Sequence, residues 1–263
     1  VPVEEFTQKV LKKQVFREET GAVVLSEQAF AAAEQAMMKK ISDYLFYTRP
    51  DPAQIQADFT ARWGDGQDVH PRILADKADF ERIRQEVQTD AYKKKWFELL
   101  LEDTKKIWEE APLKYEKSDG IRLLPISRAM LGRAEKFGML YQLTGETRYV
   151  ERAWKDIEAV CAFPNWNPSH YLDVGEMTAA LGMCYDWMYD ALTKDQRETI
   201  EKAIIEKGLT PTKKAYYGLL GQNGNFVNVD NNWNVVCNGG AVLAALAITS
   251  ADPALCLDRK SVV

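Results

Sequence analysis

The sequence predicts an all-α protein, and three observations support this. Apolar residues recur at helical spacing through most of the 263 residues. Helices that are apolar on most sides alternate with helices that carry one apolar stripe, which indicates that buried helices alternate with solvent-facing ones. No series of segments has the alternating pattern that is typical of strands. This organisation predicts stacked helical hairpins, arranged either as an open solenoid or as a closed α/α toroid.

The first part of the chain, residues 1–69, is predicted to be a helical extension. Two amphipathic stretches, at about 4–16 and 26–45, precede a passage rich in Pro, Asp and Gly that contains TRPDPAQ and WGDGQD. Such a passage is typical of a domain boundary. We therefore place a boundary near His70 and assign residues 70–257 to the main domain.

The main domain is predicted to contain two kinds of helix after an initial pair. The first helix of that pair begins near residue 70 with an acidic first turn, and the second covers 91–110. The helices that follow are either inner, with apolar residues on most sides, or outer, with one apolar stripe. The predicted inner helices cover 126–141, 173–190 and 232–248, and the outer ones cover 147–161 and 194–207.

Composition argues against several classes of function. The net charge is −5, which does not suggest a nucleic-acid partner. No run of about 18 apolar residues is present, so no membrane-spanning helix is expected. Only two histidines occur, and the four cysteines form no C-x-x-C pair. We therefore predict no metal site, no cofactor, and cysteines that are mostly buried free thiols.

The C-terminal residues 258–263 have the sequence DRKSVV. They can be encoded by a nucleotide string that resembles a common sequencing adapter. We therefore expect this tail to be non-native and the natural protein to be longer.

Asparagine is confined to one part of the chain, between residues 165 and 238. Most of these residues lie in two segments, FPNWNPSHYLD at 163–173 and GQNGNFVNVDNNWN at 221–234. Both segments precede a predicted inner helix, so we expect them to open on the same side of the domain. Amide groups offer a donor and an acceptor together, and Trp166 and Trp233 add flat apolar faces. This combination is suited to binding sugar rings.

Structural roles are the alternative explanation for these residues. Asparagine caps helices and fills turns, and Asp230 or Asn231 is well placed as the N-cap of the helix at 232–248. A cap needs one side chain per helix, however, whereas this segment contains a cluster. Gly239 and Gly240 fall inside the same helix, where each costs about 1 kcal/mol relative to Ala. We attribute both glycines to close helix packing.

Three stretches of the main domain carry a resemblance to a known family. They are HPRILADKADFERIR from residue 70, WNPSHYLDVGEMTAALGMCYDWMYD from residue 166 and NNWNVVCNGG from residue 231. Together they resemble the N-terminal domain of heparinase II/III-type polysaccharide lyases. The resemblance implies an incomplete α/α toroid of stacked helical hairpins, with the family's C-terminal β-sandwich region absent from this chain. It also implies β-elimination of uronic-acid polysaccharides by a protein exported to the bacterial periplasm or exterior.

β-Elimination places three requirements on an active site. A base removes the proton next to the uronate carboxylate, an acid protonates the leaving oxygen, and a third group neutralises the carboxylate and the developing enolate. The resemblance implies Asn232 as the neutralising residue, with Asn231 as its nearest competitor. Many lyases of this type have His after the Asn pair, whereas this chain has Trp233. That departure allows a Tyr-only mechanism, a different substrate or a non-catalytic relative.

The resemblance also predicts that this chain has no lyase activity by itself. In the family the catalytic Tyr lies on a later toroid helix and a further His comes from the β-sandwich. No position of this sequence can be matched to either residue.

An anionic polysaccharide is the predicted partner, and no cofactor is implied. Its contacts are expected from both Asn-rich segments, because these should open on the same side of the domain. His170 is predicted either to contact substrate, to act as an auxiliary acid or base, or to hydrogen-bond the start of the following helix. The predicted substrate-binding residues are Trp166, Asn167, His170, Tyr171, Asn228 and Trp233.

Two other functions stay open at this point. An α/α-barrel glycoside hydrolase needs two opposed carboxylates, and Asp173, Glu176 and Asp186 are available. Asp173 and Glu176 also suit the first turn of a helix, where acidic groups favour the helix dipole, and we prefer that role for both. A non-enzymatic helical-repeat or sugar-binding protein is the third interpretation, and Trp233 in place of His favours it.

Overall fold

The computed structural model describes residues 52–63 and 69–251, together with positions 31, 32 and 35. Apart from those three positions, the two amphipathic stretches predicted before residue 46 lie outside the described residues. The predicted non-native tail at 258–263 also lies outside them.

The chain divides into two compact units, Val1–Pro50 and Asp51–Val263. The division falls nearer the N-terminus than the boundary predicted near His70, which lies within the second unit. One helix of the second unit, Pro52–Trp63, belongs to the passage that the sequence analysis interpreted as a boundary. This helix was not predicted because Pro- and Gly-rich sequence lies on both sides of it.

The described residues are helical and contain no strand, which confirms the all-α prediction for this part of the chain. A π-helical segment, Ile204–Leu209, lies between the helices Lys194–Ala203 and Thr210–Tyr216, so the predicted outer helix at 194–207 is α-helical only to residue 203. Segments of 3₁₀ helix cover Tyr189–Ala191 and Gly221–Asn228. The α-helices in chain order are α1 (Pro52–Trp63), α2 (Lys77–Thr89), α3 (Ala91–Trp108), α4 (Leu124–Thr144), α5 (Arg148–Cys161), α6 (Leu172–Met188), α7 (Lys194–Ala203), α8 (Thr210–Tyr216) and α9 (Asn232–Ala247).

The start of α2 differs from the prediction because a capping box fixes it. The Asp76 side chain accepts hydrogen bonds from the backbone N–H groups of Ala78 and Asp79, and the Asp79 side chain accepts from the backbone of Asp76. The helix therefore begins at Lys77, and residues 70–76 form a non-helical lead-in rather than the first helical turns.

Helices α4 and α6 run parallel, with their N-terminal ends together. Near those ends, the backbone N–H of Leu123 donates to Asp173 Oδ2 at 2.6 Å. Near the opposite ends, the side chain of Gln142 donates to the carbonyl oxygen of Trp187. Since the paired positions advance together along both helices, the two helices point in the same direction.

Helix α9 packs parallel to α6 on another side, and glycine makes the approach close. A Cβ atom on Gly175 would lie 2.9 Å from the Cα of Cys237, and one on Gly182 would lie 2.8 Å from the Cα of Ala244. These separations leave no room for a side chain between the helices. The three predicted inner helices therefore begin at one end of the domain.

Helix α6 is buried along its entire length, from Leu172 to Met188, as its all-round apolar pattern predicts. Helices α5 and α7 each bury one face, as predicted for outer helices. Helix α9 differs from the expectation of an almost fully buried helix. Its buried residues lie along the face towards α6, while Val235 on another face is 71% exposed.

The two adjacent glycines of α9 play different roles. A Cβ on Gly240 would overlap the carbonyl oxygen of Gly175, so this position requires glycine for close packing, as predicted. Gly239 has nothing within 4 Å of its Cβ position and is exposed. The packing role predicted for Gly239 is therefore wrong, because that side of α9 faces away from α6.

A buried ion network ties α3 and the outer helix α5 to α4. Asp156 on α5 is fully buried and accepts hydrogen bonds from Arg133 of α4 and Arg152 of α5. Arg152 also donates to the backbone carbonyls of Ile107 and Trp108 at the end of α3. These donors satisfy carbonyl groups that a helix terminus otherwise leaves without partners.

The C-terminal half of α6 anchors the lead-in to α2. Asp186 is fully buried, with Oδ1 2.6 Å from His70 Nδ1. Its other carboxylate oxygen accepts from the backbone N–H groups of Arg72 and Ile73, both at 2.9 Å. Asp186 therefore has a structural role, and it lies far along α6 from the helix starts.

Candidate functional site

The two Asn-rich segments meet at the end of the domain where α4, α6 and α9 begin. Segment 163–171 leads into α6 and segment 221–231 leads into α9. The rings of His170 and Trp233 are in contact, with centroids 4.8 Å apart in an edge-to-face arrangement. The two segments therefore open on the same side, as the sequence analysis expected.

A cleft of about 400 Å³ lies at this end of the domain, and we call it the amide cleft. Most of its lining comes from the segment that precedes α9, and Ser169 contributes from the segment that precedes α6. The lining residues are Ser169, Gln222, Asn223, Asn225, Phe226, Val229, Asn231 and Trp233. Four primary amides and one indole therefore surround a space of the size that binds small ligands.

The two Asn-rich segments use their amides differently. In the first segment, Asn165 Oδ1 accepts from the Asn167 backbone N–H at 2.8 Å and from the Tyr115 hydroxyl at 3.0 Å. These bonds hold the segment itself. In the second segment, Asn223 and Asn225 are exposed and face the amide cleft. The sequence clustering identified both segments but could not separate the structural amides from the cleft-lining ones.

Asn167 is a structural residue in this arrangement. It is buried, and its backbone adopts a left-handed conformation with φ of 57°, which Asn tolerates better than most residues. Its Nδ2 donates to Asp173 Oδ2 at 2.6 Å and to the carbonyl oxygen of Ile121 at 2.8 Å. Its Oδ1 accepts from Lys117 and Ser169. Asn167 therefore has no side-chain hydrogen-bonding group left for the predicted contact with substrate.

His170 is held by a buried carboxylate. Its Nδ1 lies 2.7 Å from Asp173 Oδ1, and Asp173 is fully buried. The other oxygen of Asp173 accepts from the backbone of Leu123 and from Asn167, both at 2.6 Å. A neutral His170 that donates its Nδ1–H to this carboxylate would have Nε2 free to accept a hydrogen bond. His170 therefore contacts the start of α6, as one of the predicted roles requires, and its ring packs against Trp233, which lines the cleft.

Glu176 lies one helical turn beyond Asp173 on α6. Its Oε1 accepts from Arg128 Nε at 3.2 Å, while its buried Oε2 has no hydrogen-bond partner among the described residues. Burial raises the pKa of the Glu176 carboxyl, and Asp173 adds to the rise while Arg128 and His170 oppose it. The Arg128 side chain is 61% exposed, so its remaining guanidinium surface is open to solvent.

The two asparagines implied as catalytic occupy different positions. Asn231 is the N-cap of α9, and its Oδ1 accepts from the backbone N–H of Trp233 at 3.0 Å. Asn231 also lines the amide cleft, and its Nδ2 group is not used in the cap. Asn232 is the first residue of α9, is exposed and does not line the cleft. The structure therefore places Asn231, rather than Asn232, at the amide cleft.

Two predicted substrate contacts lie in the core. Trp166 is fully buried, and its Nε1 donates to the carbonyl oxygen of Val160 at 3.0 Å. Tyr171 is also buried, stacks on Phe226 with ring centroids 4.4 Å apart, and bonds Thr212 through its hydroxyl. The structure does not place either residue where a ligand reaches it. Both aromatic rings instead support the loops that form the cleft.

Of the remaining predicted contacts, Trp233 lines the amide cleft and Asn228 does not. Asn228 is exposed at the end of the 3₁₀ segment Gly221–Asn228. Asn234 has a supporting role that the sequence analysis did not assign. Its Nδ2 donates to the carbonyl oxygens of Phe226 and Val227, which ties the cleft-lining segment to the first turn of α9.

Three of the four cysteines are described, and they are buried free thiols, as predicted. Burial raises the pKa of Cys161 and of Cys237 to about 12. Both are therefore thiols at neutral pH, and neither is suited to act as a nucleophile. Within residues 52–63 and 69–251, no group of His, Cys, Asp and Glu side chains is arranged to hold a metal ion. The same described residues contain no helix with the length and apolar character needed to cross a membrane.

Comparison with known proteins adds no family assignment. A scan of the chain against models of protein families finds no match, and a search of curated proteins finds no significant match either.

Proposed function

We propose that the amide cleft binds an anionic, uronic-acid-containing polysaccharide and that the chain is part of a lyase that cleaves this polymer by β-elimination. The observation that carries the proposal is the position of the cleft. Its amides and Trp233 adjoin the His170–Asp173 pair at the end where three parallel helices begin. The resemblance of the sequence to heparinase II/III-type lyases points to the same chemistry.

The lining of the cleft supports binding of a sugar. Asn223, Asn225 and Gln222 offer donors and acceptors that match sugar hydroxyl groups, and the Trp233 ring offers an apolar face. Aromatic side chains with a polar surround are a common way to bind a molecule that has both kinds of surface.

The local charge supports an anionic sugar although the chain as a whole is acidic. The positive ends of the helix dipoles of α4, α6 and α9 all point towards this end of the domain. Arg128 adds an exposed guanidinium whose Nε is fixed by Glu176. Local groups at short range dominate over a net charge of −5 that is spread across the whole surface.

Asn231 meets the requirement for a neutralising group. Its oxygen caps α9, so its amide nitrogen is the group left to donate to a uronate carboxylate bound in the cleft. An amide does not titrate near neutral pH, so it can stabilise developing enolate charge without exchanging a proton.

The architecture that we propose is the incomplete α/α toroid of stacked helical hairpins. Parallel inner helices, with outer helices that return the chain between them, support this arrangement. A polymer of this type lies outside the cytoplasm, so the proposed site of action is the bacterial periplasm or exterior.

A non-catalytic sugar-binding protein is the second candidate, and Trp233 in the position of the expected His favours it. Glycoside hydrolysis has less support. Asp173 has both oxygens bonded within the protein, and Asp186 is engaged by the lead-in to α2. Glu176 alone does not provide the opposed pair of carboxylates that hydrolysis needs.

Calorimetric binding tests this proposal. The probes are oligosaccharides of hyaluronan, chondroitin, heparan sulfate and alginate, each compared with its carboxyl-reduced neutral counterpart. We expect saturable binding of at least one acidic form and weaker binding of its neutral counterpart. Trp233→Ala is expected to lower the affinity about tenfold, equivalent to about 1.4 kcal/mol. Equal affinity for acidic and neutral forms, or no binding by any oligosaccharide, would contradict the proposal.

Product analysis separates elimination from hydrolysis. Elimination leaves an unsaturated uronate that absorbs in the near ultraviolet, whereas hydrolysis leaves saturated sugars. Appearance of new reducing ends without this absorbance would favour hydrolysis over the proposed lyase.

A further inference from the structure

His170 has the features of a general base. The residue before it, Ser169, lines the amide cleft. The ring of His170 contacts Trp233, which also lines the cleft. Its side chain is 16% exposed, so it is neither buried in the core nor free in solvent. The other histidine, His70, is buried beside Asp186 and lies near the opposite end of α6.

The orientation of the His170 ring is fixed by residues behind it. Asp173 Oδ1 lies 2.7 Å from Nδ1, where it can accept a hydrogen bond from a protonated Nδ1, and Asp173 is itself held by Leu123 and Asn167. A carboxylate held in this way selects one tautomer and stabilises the imidazolium that forms when the ring takes a proton. Nε2 is left as the proton-accepting atom, and it has no hydrogen-bond partner among the described residues.

The position of Trp233 also bears on the role of the His170–Asp173 pair. The chain has Trp where an imidazole would follow the Asn pair, yet the His170 ring lies against that same indole at 4.8 Å. An imidazole is therefore present beside the position, although it is supplied by a different segment. Asn231, which lines the cleft, lies two residues before Trp233.

We propose that His170 is the general base of the reaction, oriented by Asp173 as a positioning residue, and that Asn231 binds the substrate carboxylate during this step. The proposal rests on the proposed function, since it needs a uronate in the amide cleft. Nε2 takes the proton from the carbon that bears the carboxylate, and the electron pair of the broken C–H bond passes into the enolate. In deuterated water the enolate then takes back a deuteron, which leaves the oligosaccharide otherwise unchanged.

Hydrogen exchange on the substrate isolates this proton transfer from bond cleavage. A uronate oligosaccharide that binds the chain is incubated with it in deuterated water, and loss of the proton next to the carboxylate is followed by proton NMR. This measurement does not require the acid that protonates a leaving group. We expect the chain to accelerate exchange above the rate without protein.

Substitutions at His170 test the assignment. His170→Asn keeps a side-chain N–H that can donate to Asp173 but removes Nε2, and we expect it to lower the exchange rate at least about 100-fold. His170→Gln is a second variant in case the first is unstable, and both are checked by thermal unfolding and oligosaccharide binding. Asp173→Asn is expected to shift the pH profile of exchange as well as to lower its rate. Val235→Ala, at an exposed position on α9, is the control that leaves exchange unchanged.

The outcomes separate this inference from the function on which it rests. Binding without exchange, or exchange that persists in folded His170 variants, would overturn the role of His170 and leave sugar binding intact. Absence of binding to every acidic oligosaccharide would overturn the proposed function and this inference together.

Discussion

At the scale of single residues, glycine sets how closely α6 and α9 approach. Gly240 faces the backbone of Gly175, whereas Gly239 faces open space one position earlier in the same helix. The adjacent pair therefore provides an internal comparison in which the same substitution meets two different surroundings.

We expect Gly240→Ala to destabilise the protein by about 1–3 kcal/mol, because its Cβ would force the two backbones apart. Gly239→Ala should be neutral or stabilise by up to about 1 kcal/mol, because Ala favours a helix and meets no neighbour. Urea unfolding of both variants measures these changes. Equal effects of the two substitutions would show that the helices are not packed as described.

At the scale of single elements, the first turn of α9 has both a structural and a binding role. Asn231 supplies the cap acceptor through Oδ1 and, in the proposed function, a donor through Nδ2. Capping and sugar binding are competing explanations of the Asn cluster from sequence alone, but one amide can perform both because its oxygen and its nitrogen bond different partners.

Two substitutions at Asn231 are expected to separate these roles. Asn231→Ala removes the cap and should cost about 1 kcal/mol of stability together with sugar binding. Asn231→Asp keeps a good cap acceptor, so stability should be retained, while a carboxylate in place of the amide donor should repel an anionic sugar. Thermal unfolding and calorimetry on the same samples measure the two effects. Undiminished binding by Asn231→Asp would remove Asn231 from the proposed site.

At the scale of the whole molecule, buried polar groups connect the outer helices to the inner ones. Asp156 is the central acceptor of one such network, between Arg133 and Arg152. Both arginine side chains are nearly inaccessible to solvent. Removing the carboxylate would leave the buried Arg152 without its anionic partner and Arg133 with only the half-exposed Glu110.

We expect Asp156→Ala to destabilise the protein by about 3–5 kcal/mol for this reason. The control is Asp103→Ala, which removes an exposed partner of Lys106 and should change stability little. Chemical denaturation compares the two variants. A small effect of Asp156→Ala would indicate that the network is not buried as described.

The helical periodicity predicted most of the described helices, because α4 to α7 and α9 have patterns that their packing environment reinforces. It missed α1, since flanking Pro and Gly residues suggested a boundary, and it did not predict α8. It also placed the start of α2 too early. The helical periodicity also could not predict which individual loop residues are buried. Trp166 and Trp233 have similar sequence surroundings, yet only the position of the neighbouring helices decides that one is core and the other lines a cleft.

The site was predictable to the level of its segments rather than its residues. The clustering of Asn located the end of the domain where the cleft lies. The clustering could not show that Asn167 forms hydrogen bonds with Asp173 and Lys117, or that Asn231 rather than Asn232 lines the cleft. Those distinctions depend on contacts between segments that are far apart in the sequence.

The most direct test of the central claim is an NMR titration that follows side-chain amide and indole resonances while an acidic uronate oligosaccharide is added. The account predicts saturable shifts at Asn223, Asn225, Asn231 and Trp233, with little change at Asn228 and at the core residue Trp166. Shifts confined to other surfaces, or no saturable shift in any resonance of the amide cleft, would contradict it.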